Sequence, residues 1–159
     1  MPGIRLARQV LALLDHYKGR PGGELAADRL LYGFFEAKFG NMSRQHQVTL
    51  GRIDYRFGTT NPVVLEFALR SSGEPSSKLY ESQNRSELRK LTRVRPQTAR
   101  MRVLLLLDRA RTSIPKSVLR MGYDQSNAGR GRFERHPVRI LYVHRSLSYE
   151  LLWRPKKKP

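Results

Sequence analysis

The hydrophobic pattern predicts a single mixed α/β domain, a central sheet flanked by helices. Three observations carry that prediction. Two helix-period stripes open the chain, two strongly apolar runs follow with a helix-length segment between them, and two further strand patterns close it. At 159 residues the chain is long enough to bury its own core. The domain is expected over 1–154, with a helical N-terminal region over 1–23 and a basic disordered tail over 155–159.

Ile4–Lys18 places Ile4, Leu6, Ala7, Val10, Leu11, Leu13 and Leu14 on a helical stripe that stops at the breaker cluster Gly19–Gly23. A second helix is predicted over Glu24–Phe39, ended by Gly40-Asn41. Gln45–Leu50 mixes polar and apolar positions and leads into a strand over Gly51–Phe57, where Ile53, Tyr55 and Phe57 alternate with Arg52, Asp54 and Arg56. After a turn rich in Gly, Thr, Asn and Pro comes Val63–Leu69, almost wholly apolar, as suits a strand covered on both faces.

Beyond the Ser/Gly/Pro loop Ser71–Ser77, a helix is expected from Lys78 to about Arg93 with Ser77 as its cap. Met101–Leu107 is the second apolar strand, and the crossover length makes it a parallel neighbour of Val63–Leu69. Ser113–Met121 reads as a short helix capped by Ser113, with Pro115 in its first turn. Val138–His144 and Tyr149–Trp153 are further strands.

Composition narrows the function. Lys+Arg number 31 against 13 Asp+Glu, a net charge of +18 that attracts polyanions, and nucleic acid is the first partner to consider, DNA before RNA. With no cysteine, disulfides, thiolate zinc sites and thiol nucleophiles are excluded. No apolar run is long enough to cross a bilayer, so no membrane partner is expected and a cytoplasmic location is the default. No Gly-rich Lys-Ser/Thr phosphate loop and no nucleophile elbow is present, and His46, His136 and His144 lack zinc spacing. A homodimer and a subunit of a larger nucleoprotein complex are both open readings.

The candidate site lies on the two central strands. Glu66 interrupts an apolar run and is costly to bury unless paired. If its strand lies antiparallel to Gly51–Phe57, Asp54 and Glu66 meet on one face and offer a site for a hard divalent cation. The bland alternative leaves Asp54 on a solvated face and Glu66 paired with an arginine. Glu24 and Asp28 share a face near the start of the second helix, where acidic residues also simply favour the helix dipole. Lys78, Arg85, Arg89, Lys90 and Arg93 form a basic set on the helix after Glu66. Arg130 and Arg132 lie in a Gly/Arg loop with Tyr123 and Phe133. Each of these groups suits phosphate contacts, and each is also the composition of an ordinary solvated surface.

The succession of a helix with acidic residues near its start, I-D-Y on one strand, a turn, V-V-L-E-F-A on the next, a helix and the strand Met101–Leu107 resembles the restriction-endonuclease-like PD-(D/E)xK superfamily over about Glu24 to Leu107. The resemblance implies Asp54 and Glu66 as metal ligands, Glu24 or Asp28 as the helix carboxylate, and Mg²⁺ (Mn²⁺ as substitute) in hydrolysis of phosphodiester bonds. The chain departs from the pattern at Ala68, which stands where the family's lysine belongs. A replacement is expected from Arg70, on the same strand face by parity, or from Lys78 or Lys90 on the following helix. The alternative is a catalytically inactive fold kept for binding DNA or RNA.

Overall fold

The computed structural model describes residues 3–16, 23–40, 42–48, 51–58, 60–94, 99–124 and 136–154. Their order is α1 (Ile4–His16), α2 (Gly23–Phe39), β1 (Ser43–Val48), β2 (Gly51–Phe57), β3 (Val63–Arg70), a 3-10 turn (Ser76–Leu79), α3 (Ser82–Thr92), β4 (Met101–Asp108), α4 (Lys116–Asp124), β5 (Val138–His144) and β6 (Ser148–Trp153). The six strands form one sheet in sequence order. The pairs β1–β2, β2–β3 and β5–β6 are antiparallel, whereas β3–β4 and β4–β5 are parallel. This is the mixed α/β single domain that the patterning predicts, and it agrees with a nuclease-like architecture.

The apolar runs explain themselves once both sheet faces are covered. In β3 the residues Val63, Leu65, Phe67 and Leu69 pack with Leu6, Val10, Leu31 and Phe35 of α1 and α2. Val64 and Ala68 pack instead with Leu88 and Leu91 of α3 and Leu119 of α4. Alternate residues thus go to opposite halves of the core, and a strand buried on both sides needs apolar residues throughout. In β4, Val103, Leu105 and Leu107 follow the first set while Leu104 and Leu106 follow the second.

The termini of the helices differ from the expected ones. Gly40 ends α2 as predicted: at φ +60° it is in the left-handed region, and its N–H reaches Glu36 O at 3.0 Å. The segment expected as one helix from Lys78 to Arg93 is instead a 3-10 turn followed by α3. Ser77 lies inside that turn, so it does not cap a helix, and Glu81 in an extended conformation is the residue before α3. The Asn84 side-chain amide donates to Lys78 O and ties turn to helix. Helix α4 starts at Lys116 instead of Ser113, with Pro115 O taking the N–H groups of Val118 and Leu119.

Gly122 of α4 faces Tyr80, and a Cβ there would lie 2.7 Å from the tyrosine ring. Gly122→Ala is therefore expected to lower the unfolding free energy by about 1–3 kcal/mol through overpacking, measured by urea denaturation. Unchanged stability would show that Tyr80 yields freely.

Candidate acidic site

Strands β2 and β3 run antiparallel from Phe57↔Val63 to Tyr55↔Leu65, and just beyond the end of that ladder the Asp54 and Glu66 side chains hydrogen-bond each other. The Asp54 carboxylate accepts the Phe67 N–H at 3.1 Å, so a backbone donor on β3 fixes its direction. Glu66 has the parity of Val64 and Ala68 and points toward α3. It is only 3% exposed.

The charge of Glu66 is handled by two neighbours. Burial pushes its pKa well above the usual carboxylate range, followed by a hydrogen bond and charge repulsion from Asp54 and then the charge of Glu87; Lys90 opposes them. Beside Asp54, Glu66 therefore favours its neutral form. Lys90 reaches down from α3, with Nζ 2.6 Å from Glu66 Oε1 and 2.5 Å from Arg52 O, and it also meets Glu87 Oε2. The contact with Oε1 is close but off the hydrogen-bond direction, so this oxygen meets a charge and no aligned donor. Burial works against the Lys90 ammonium, yet Glu66 and Glu87 outweigh it and hold the lysine pKa above its ordinary value.

The donor chemistry suits a hard divalent cation. Among the described residues no three His, Cys, Asp or Glu side chains gather as a metal cluster, so the donor set is the carboxylate pair. Mg²⁺ commonly takes one or two carboxylates and keeps several waters, a demand that the adjoining Asp54 and Glu66 carboxyl groups meet once Glu66 is ionised. On those grounds Asp54 and Glu66 fit the group.

The other sequence candidates lie elsewhere. Asp28 receives the Tyr55 hydroxyl at its carboxylate and, at 2.9 Å, at its carbonyl oxygen. Tyr55 belongs to the half of the core under α1 and α2, so Asp28 is on the opposite side of the sheet from Glu66. Glu24 lies in the first turn of α2, and its side chain falls outside the described residues, as do Arg130 and Arg132. Lys78 pairs with Glu81 at 3.6 Å within the turn after β3. Arg85, Arg89 and Arg93 recur every four residues and share a face of α3, whereas Lys90, grouped with them in the sequence, turns inward to Glu66.

Arg70 keeps the expected parity but is spent on another contact. Its Nη1 donates to Asp108 Oδ2 at 3.1 Å and to Thr112 O at 3.3 Å, and its Nε to Glu74 O. Asp108 also takes the Tyr142 hydroxyl at 2.5 Å and the Ala110 N–H at 3.0 Å. Tyr142 accepts Ile114 N–H and stacks on Tyr149, whose hydroxyl donates to Ile114 O, while His144 Nε2 meets Ala110 O. This buried network closes the carboxyl ends of β3, β4 and β5. Sequence reading missed it because Asp108 and Tyr142 stand at ordinary strand positions.

No protein-family model and no curated protein matches the sequence. Among solved structures, the Pyrococcus furiosus SfsA in complex with Ca²⁺ aligns with 81% of this chain at 14% identity and a TM-score of 0.29. The chain spans 61% of that structure.

A raised Glu66 pKa means that the folded state holds its proton after the unfolded chain has lost it. Stability from this group is greatest in acid and declines as pH rises above the unfolded carboxylate value, by up to about 1.4 kcal/mol per pH unit. Glu66→Gln is expected to flatten that decline, so urea denaturation at pH 5 and pH 8 should find the variant gaining on the wild type at pH 8. Parallel curves for the two proteins would refute the raised Glu66 pKa.

Proposed function

We propose that this chain is a nucleic-acid-binding protein, DNA preferred over RNA, that hydrolyses phosphodiester bonds with Mg²⁺, Mn²⁺ serving as substitute. The observation that carries the reading is Lys90. Ala68 leaves the motif without its lysine, and an ammonium from α3 stands against Glu66. A carboxylate pair with a lysine beside it is one group set that supports metal-assisted phosphodiester hydrolysis. Water must add to phosphorus, a P–O bond must break, and charge develops on the phosphoryl oxygens.

Asp54 and Glu66 would hold the cation, which when bound supplies Lewis acidity and a more acidic water. Binding it requires Glu66 to give up its proton, so loading improves as pH rises. Phe67 N–H keeps Asp54 oriented while this happens. Lys90, already tied at Arg52 O, keeps its positive charge beside the reacting phosphate without needing Glu66 as its only anchor. The net charge of +18 and the Arg85, Arg89 and Arg93 face of α3 suit contact with the phosphate backbone.

A second reading, an inactive nuclease-like fold that binds DNA or RNA, draws on the same contact. A lysine settled between Glu66 and Glu87 also neutralises a buried acid with no chemistry intended. Cleavage of supercoiled, linear and branched DNA with Mg²⁺ or Mn²⁺ separates the two. Asp54→Ala and Glu66→Ala are expected to abolish cutting, and Lys90→Met to slow it about 10²-fold or more, with DNA affinity kept within a few-fold. Binding without cutting under either metal would establish the second reading. Cutting at the wild-type rate in Lys90→Met would remove the lysine from the mechanism.

A further inference from the structure

Arg102 is a second charge inside an apolar strand, and among the described residues no acid answers it. The residue is 6% exposed in β4, between Met101 and Val103. Its parity is that of Leu104 and Leu106, so it points to the side of the sheet covered by α3 and α4. There Nη2 donates to Val94 O, just past the end of α3, at 2.5 Å. Its Nε is buried without a hydrogen-bond partner. Burial alone pulls the guanidinium down to about 10, with no carboxylate opposing. The titrating neighbour that feels its charge is another base: His136 is lowered first by burial and then by Arg102.

A cation hidden from water without a counter-charge is costly, and a buried N–H without a partner adds to the cost. The bond to Val94 O ties down the residue two past the end of α3, but it uses one of five guanidinium N–H groups, and a neutral amide would do the same without a buried charge. The remaining N–H groups form the fork by which an arginine fits two oxygens of a carboxylate or a phosphate.

The register locates this charge relative to the acidic site. Val64 pairs with Arg102 on one side and Arg56 on the other, and Glu66 pairs with Leu104. Arg102 is thus one strand over and two residues along from Glu66 on the same face, about 8 Å away by sheet spacing.

We infer that Arg102, with His136 beside it, is a binding subsite for a phosphate group of a nucleic-acid strand whose neighbouring phosphate lies at Glu66 and Lys90. The inference rests on the nuclease reading for the second of those phosphates, whereas the anion site stands on Arg102 itself.

The test is NMR titration of the full ¹⁵N-labelled protein, following the Arg102 Nε–H signal assigned through its own bonds. With inorganic phosphate at fixed ionic strength, and with a short single-stranded oligonucleotide, that signal is expected to shift and saturate. A signal that stays in place while exposed arginines respond would overturn the inference, whatever the variants do. Arg102→Gln, which can still donate to Val94 O, is expected to weaken oligonucleotide binding about tenfold or more. His136→Gln, at a less buried position, should weaken it a few-fold and guards against a variant that fails to fold. Full affinity in both folded variants, with loss of thermal stability alone, would make Arg102 a tie to the chain after α3 and nothing more. A 5′-phosphorylated strand binding about tenfold tighter than its 5′-hydroxyl counterpart would assign the subsite to a terminal phosphate, and equal binding to an internal one; either outcome requires the Arg102 shift. Cleavage and this shift are read separately, so failure of one does not imitate failure of the other.

Discussion

Everything about the acidic site follows from placing a carboxyl group on a strand that is buried on both faces. Glu66 cannot keep a bare charge under α3, so its neighbours are set by that cost. Asp54 hydrogen-bonds it, Lys90 supplies a cation, and Arg52 O and Glu87 hold the lysine in turn. The apolar residues around it make the arrangement rigid, since Val64, Ala68, Leu88 and Leu91 leave the group little freedom. A site that concentrates charge in a dry setting also strengthens each interaction inside it.

Much of the fold was legible because the sheet's covering writes itself into the strands. Continuous apolar runs at Val63–Leu69 and Met101–Leu107 identify strands with two covered faces, and the length between them requires a parallel crossover. The break before α3 was less legible. The polar stretch around Glu81–Glu87 resembles a solvated helix middle, yet the turn Ser76–Leu79 is held by tertiary contacts such as the Tyr123 hydroxyl on Leu79 O. Those contacts join residues far apart in sequence and leave no local pattern.

The site divides in the same way. Asp54 and Glu66 were visible as acids at matching places on two antiparallel strands. Lys90 was one basic residue among several because its inward direction depends on how α3 is rotated over the sheet. Arg70 shows the limit of parity: the face was right, but its place at the strand's end puts it against Asp108. Arg102 carried the same signal as Glu66, a charge within an apolar run, and passed unnoticed among so many arginines.

The network around Asp108 has a consequence for how a long polymer reaches this molecule. Open α/β sheets ordinarily take their ligands in the crevice beyond the carboxyl ends of parallel strands. Here that crevice is filled by Arg70, Asp108, Tyr142 and His144, fastened to the chain that follows β4. With that end occupied by the protein's own side chains, the acid pair sits four residues back along β3, at Glu66 instead of at Arg70. On the proposed reading a strand is therefore taken at mid-sheet, where neither of its ends is needed.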